Sequence, residues 1–190
     1  KAAFSDGTMR VLFASLLIIG MFGFGLLVLA PAWSVDVLHG DVTTNGLLLS
    51  ARGFGSLLAG LVLATVASRG YRGKIWSFGS ILLPVSILLF GLARSIPLSL
   101  AAIAFMGLCL ISVVNITNGL IQSNTSDVMR GRVMSIYSLI FLGGQTLGGL
   151  LIGLLADIIS KPATAYISAG LLGILAIGVF LFRPSLRKVA

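Results

Sequence analysis

Six apolar runs, at residues 11–32, 46–68, 75–93, 97–121, 133–157 and 163–182, take up most of the chain. Each has roughly 20 residues, enough for a helix to cross about 30 Å of hydrocarbon. Inside lipid the backbone must satisfy its own hydrogen bonds, so only helices or a closed barrel can span it. Barrel strands alternate polar and apolar residues with a period of two, whereas these runs are continuous. The expected fold is therefore all-α: one six-helix transmembrane domain over residues 1–190. The first run is too long for a signal peptide, and no small-residue cleavage site follows it.

Composition excludes the alternatives. The chain is 57% hydrophobic and 9% charged, with no Glu, where a soluble domain carries about 25% charged residues. A soluble enzyme, a nucleic-acid-binding domain and a disordered tail are all ruled out. The net charge of +8 does not indicate nucleic acid, because the cations lie between the apolar runs. A single Cys permits no disulfide framework. The short connections leave no room for a catalytic or nucleotide-binding domain, so no enzyme activity and no cofactor are expected.

The cations set the orientation. Ten of the thirteen fall on one side: Lys1, Arg10, Arg69, Arg72, Lys74, Arg130, Arg132, Arg183, Arg187 and Lys188. Arg94 and Lys161 fall on the other side, and Arg52 lies within the second run. Both termini are expected in the cytoplasm. The connection bearing Asp36, His39 and Asp41 then faces outward. Connections of about a dozen residues are expected around 33–45 and 122–132.

Many of the 24 glycines lie inside the runs. In a bilayer they allow helices to approach closely. Residues 144/148 and 149/153 form two small-xxx-small pairs, and Gly53, Gly55, Ser56, Ala59 and Gly60 line the second run. Pro31 is expected to close the first run, Pro84 to kink the third, and Pro97 and Pro162 to open helices.

Polar groups at membrane depth are the functional candidates. Arg52 lies about seven residues into its run, roughly 10 Å deep, placed to neutralise an anion or pair with a carboxylate. Asn115, Asn118 and Gln122 share one helix face at i, i+3 and i+7, beside Ser112 and Thr117. Tyr137 and Gln145 lie on the fifth run. Either these amides bond to neighbouring helices or they line a wet cavity. Asp157 ends the fifth run near the outer face, and no other carboxylate lies within a run. His39 has no metal-ligand partner at useful spacing, and Cys109 reads as a packed small residue.

Three six-helix architectures can be set aside. An intramembrane serine protease needs a membrane His, an aquaporin needs paired Asn-Pro-Ala half-helices, and an ABC exporter needs long cytoplasmic helix extensions. The segment from Asn118 and Gln122 through Asp127 and Arg130-Gly131-Arg132-Val133-Met134-Ser135 to Tyr137 resembles a different family. It is similar to the region joining the tenth and eleventh helices of major facilitator superfamily transporters, closest to the drug and siderophore exporters of the macrolide-efflux and enterobactin-exporter type. Gly143-Gly144-Gln145-Thr146-Leu147-Gly148-Gly149 also fits, although that family often has Pro where Thr146 or its neighbour stands. Gly46 to Gly60 resembles the eighth helix, and Arg69 to Lys74 the basic loop after it.

The resemblance implies a secondary transporter, not an enzyme, exporting a small, moderately apolar molecule by alternating access. Proton antiport and a bacterial inner membrane come with it. Arg52, Asn115, Asn118, Gln145 and Tyr137 are then candidates to line the substrate cavity, with Arg69, Arg72, Arg130 and Arg132 as cytoplasmic gate candidates. Runs one, two, four and five would line the cavity, and runs three and six would face lipid. The family has twelve helices in two halves, so this chain matches the second half. The partners implied are the bilayer, a small-molecule substrate and an N-terminal six-helix half. The alternative is a half-size membrane scaffold, or a dimerising partner protein, that does not transport.

Overall fold

The computed structural model describes residues 7–66 and 72–182. It contains six helices long and apolar enough to cross a membrane, and no strand among the described residues. They are α1 (Gly7–Val37), α2 (Val42–Val66), α3 (Arg72–Leu92), α4 (Ile96–Ser123), α5 (Asp127–Ile158) and α6 (Lys161–Phe182).

The helices are longer, and the connections shorter, than the apolar runs suggest. Only residues 38–41 separate α1 from α2, and only 124–126 separate α4 from α5. Arg130 and Arg132 therefore lie on the first turns of α5 rather than in a loop. A polar turn continues a helix readily once it emerges from lipid, and Asp127 at the N-terminus complements the helix dipole. Pro31 does not close the first span, which runs on to Val37. Instead α1 changes its winding: α over Gly7–Ile19, π over Gly20–Phe24, 3-10 over Gly25–Leu29, a short α turn over Ala30–Ala32, and π over Trp33–Val37. Pro31 cannot donate to the carbonyl four residues back and its ring crowds that carbonyl. The tightened turn before it accommodates both effects. Pro97 sits at the start of α4, and α3 continues through Pro84.

The largest fully buried side chains come mostly from α1 (Leu12, Leu16, Leu26, Trp33) and α4 (Ile103, Met106, Leu110, Leu120, Ile121). These two helices form the centre. α5 packs on α1, α2 packs on α4, and α3 bridges α4 and α6. Lipid tails are as apolar as leucine, so the crossings depend on close backbone approach. A Cβ on Gly25 of α1 would lie 2.7 Å from the carbonyl carbon of Gly148 on α5. Gly144 faces α1 in the same way, with 3.1 Å from its Cβ position to the Leu17 oxygen. Of the two small-residue pairs in α5, 144/148 is thus a packing seam, whereas a Cβ on Gly153 would meet nothing.

The C-terminal ends of α1 and α3 and the N-terminal end of α6 are tied together. Trp33 stacks on Phe90 with centroids 4.5 Å apart, and the Arg94 guanidinium lies 5.9 Å from the Trp33 ring centroid. Arg94 donates to the Gly91 carbonyl at 2.7 Å and to the Tyr166 hydroxyl at 3.3 Å. Lys161 and Asp36 pair at 2.8 Å.

The start of α2 is capped reciprocally. The Thr44 amide donates to the Asp41 carboxylate at 2.9 Å, and the Asp41 amide donates to the Thr44 hydroxyl at 3.3 Å. The Thr44 backbone bond, followed by its hydroxyl, holds the Asp41 carboxyl below its ordinary value of 3.8. A lowered carboxyl pKa means that folding favours the carboxylate. The cap's contribution is thus complete above about pH 4 and is lost as pH falls through the lowered value. Hydrogen exchange corrected for intrinsic rates should show the Thr44 amide protected at about pH 6 and released as the pH falls through the lowered value of the Asp41 carboxyl. Asp41→Ala should release it throughout.

Candidate functional site

The polar side chains are unevenly distributed over the outer faces of the bundle. The open stripe of α3 is Phe78, Leu82, Val85, Leu89 and Leu92, and that of α6 is Ile167, Leu171, Ile174, Ile177 and Leu181. Both are wholly apolar, as lipid contact requires. The serines of α3 leave its surface apolar because their hydroxyls donate to their own helix: Ser77 to Gly73 at 2.9 Å, Ser80 to Trp76 at 2.7 Å and Ser86 to Leu83 at 2.7 Å.

The opposite face is different. Asn115 of α4 is exposed, and Asn118 and Gln122 are half-buried on the same stripe. The Gln122 amide donates to Asn118. Tyr137 of α5 is buried beside them, its hydroxyl donating to the Val114 carbonyl at 3.5 Å with Asn118 adjacent. One turn further along α5, Phe141 lies parallel to Tyr137 at 6.2 Å and meets Phe24 of α1 edge-on at 5.0 Å. Asn118 and Tyr137, two of the sequence candidates, are thereby brought into contact.

Gln145 lies one turn beyond Phe141 and lines an open groove of about 870 Å³ between α1 and α5. Phe24, Leu27 and Val28 form its α1 wall, and Asp157 stands at its far end. Gln145 has no hydrogen-bond partner among the described residues, so its amide is available to a ligand or to water. The groove and the Asn118–Tyr137 contact share α5 and are joined through the Phe24–Phe141 pair.

Arg52 lies at the α2–α4 seam and deeper than the limits of its apolar run indicate. It is half-buried and lies ten residues from the start of α2 at Val42, about 15 Å along the helix at 1.5 Å per residue. Its stem packs against Gly107, where a Cβ would lie 3.1 Å from the Arg52 Cγ. Its Nε is buried with no hydrogen-bond partner. Inserting an arginine at the centre of a membrane helix costs about 2.5–3.5 kcal/mol on translocon scales.

The cytoplasmic candidates are not assembled into one cluster. Arg130 pairs with Asp127 of its own helix at 2.7 Å, and both side chains are solvent-exposed. Such a surface pair contributes about 0–1 kcal/mol. Arg132 is exposed on the same turns. Arg69 and the side chain of Arg72 lie outside the described part of the chain. No cluster of three metal-ligating side chains occurs among the described residues, and His39 is notable only for its left-handed backbone, φ 51°.

Two features of this face escape a reading of the residues alone. Phe141 belongs to it, and the signal was its position four residues after Tyr137, on the same helical face. Thr117 does not belong to it. It points the other way and accepts the buried Trp76 Nε1–H at 2.8 Å while donating to the Val113 carbonyl at 2.7 Å. Among known families, the profile of the Major Facilitator Superfamily matches residues 12–189. No curated protein matches the chain.

Thr117 and Asn115 should therefore respond in opposite ways to loss of polarity. Thr117→Val keeps the shape but strands the Trp76 donor, and should cost about 1–3 kcal/mol of stability. Asn115→Val removes an exposed amide without a partner among the described residues, and should stay within about 0.5 kcal/mol. Thermal unfolding of the purified protein in detergent reads both.

Proposed function

Because the chain belongs to the Major Facilitator Superfamily, we propose that it is one six-helix half of a secondary transporter that exports a small, moderately apolar solute by alternating access. The observation that carries this reading is the segregation of polarity. Asn115, Asn118, Gln145 and the Arg52 seam belong to α4, α5 and α2, while the open stripes of α3 and α6 are apolar throughout. In this reading α1, α2, α4 and α5 line the substrate path. The amides, Tyr137 and Arg52 bind the polar part of the solute, and Phe24 and Phe141 its apolar part. Proton antiport drives export across a bacterial inner membrane, with both termini cytoplasmic. The basic residues Arg69, Arg72, Arg130 and Arg132 sit at the cytoplasmic gate.

The remaining partner is a second six-helix bundle, which supplies the N-terminal half. A stripe of glycines on α2 supports this. Gly46, Gly53 and Gly60 recur every seven residues, and a Cβ at any of them would meet nothing within 4 Å. Glycine in a membrane helix is used where another helix comes close, and no helix of this chain does so there.

Proteoliposomes containing the full-length protein test the reading. Under an imposed proton gradient they should accumulate or release a hydrophobic fluorescent solute, and collapsing the gradient should stop it. Gln145→Leu should change the relative rates for different solutes by about three- to tenfold, about 0.7–1.4 kcal/mol, with protein level unchanged. If no solute responds to the gradient, the transporter reading is wrong and a scaffold role takes its place. If Gln145→Leu only lowers the yield of folded protein, the amide is structural.

A further inference from the structure

Arg52 is half-buried and has no carboxylate partner among the described residues. The sequence has no Glu and five Asp. Asp36 lies in the last turn of α1, Asp41 in the connection to α2, and Asp157 in the last turn of α5. Asp127 opens α5 at the opposite end and is already paired with Arg130. Asp6 precedes α1. Among the described residues every carboxylate therefore lies at or beside a helix end, whereas Arg52 lies ten residues into α2. The helices also hold this cation in place. Gly55 lets α2 close on the Ala104 carbonyl, Gly107 lets α4 close on the Arg52 backbone and stem, and the Nε is left inside without a partner.

We propose that Arg52 is the binding site for an anionic group, a carboxylate or sulfonate, carried by the transported solute. This rests on the transporter reading above and narrows its substrate class to amphipathic anions. A guanidinium forms a two-pronged, charge-assisted bond with such a group, and a low dielectric strengthens it. The buried Nε–H then gains an acceptor that the unliganded chain does not provide. The apolar remainder of the solute faces the aromatic residues of α1 and α5. The competing source of the same negative charge is a fixed carboxylate on the second six-helix body.

Binding and transport of matched pairs separate the two sources. The probes are 1-pyrenebutyrate, 1-naphthoate and 4-phenylbutyrate, each compared with its neutral amide. They are applied to the full-length protein in phosphatidylcholine nanodiscs for binding and in proteoliposomes for transport. The proposal predicts that at least one acid binds tenfold or more tightly than its amide. Arg52→Gln should abolish that preference, and Arg52→Lys should retain part of it. Equal affinity for acid and amide in all three pairs overturns the proposal. So does Arg52→Gln lowering both members of a pair equally, the result expected if a fixed carboxylate satisfies Arg52. Transport of neutral or cationic solutes without any anion would overturn this inference and leave the transporter standing. Transport of no solute at all would overturn both.

Discussion

The fold depends on a constraint that water-soluble proteins do not face. Between helices in lipid there is no hydrophobic gain, so adhesion comes from van der Waals contact and hydrogen bonds at short range. Here that contact is supplied by glycine. The α1–α5 crossing is a glycine-on-glycine seam at Gly25 and Gly148, and the α2–α4 crossing is built from Gly55 and Gly107. The first crossing determines where Phe24 meets Phe141 and hence the shape of the groove beside Gln145. The second determines where the Arg52 side chain emerges. The position of the candidate site thus follows from residues that carry no chemistry of their own.

The same seams account for the irregular winding of α1. Its π turn at Gly20–Phe24 lies where it crosses α5, and its tightened turn precedes Pro31. A regular helix would rotate each later side chain by a constant 100° or so. Leu26 and Trp33, seven residues and about two turns apart, both face the core, and Trp33 reaches Phe90 and Arg94 at the end of the bundle.

Much of this is legible in the sequence, for identifiable reasons. Spans can be counted because lipid thickness fixes their length, and the similarity to a transporter family rests on a contiguous run of residues around Arg130 and Arg132. Helix ends are less legible, because nothing in hydropathy tells a polar turn in a loop from a polar turn of a helix in water, as Asp127–Arg132 illustrates. Facing is the least legible. Thr117 and Asn118 are adjacent in sequence, yet one serves Trp76 inside the bundle and the other Tyr137 at the open face. One residue turns a helix by about 100°, so a row of polar residues contains both structural and available groups. Only contacts far apart in sequence, such as Trp76 with Thr117, sort them. The cluster of Trp33, Phe90, Arg94 and Tyr166 was hidden for the same reason.

The central claim is that α4 turns its amide stripe toward water while α6 turns its outer stripe toward lipid. Thiol accessibility tests it directly, since a cysteine reacts as the thiolate and needs water to ionise. On a background in which the single native cysteine, Cys109, is replaced by Ala, one variant carries Asn115→Cys and another Ile174→Cys. Both positions are exposed on the bundle, so burial within the chain does not separate them. With the full-length protein in native membranes, the account predicts that a membrane-impermeant maleimide labels the position 115 thiol at least tenfold faster than the position 174 thiol. Equal resistance at both positions would place the amide stripe in lipid and contradict the account.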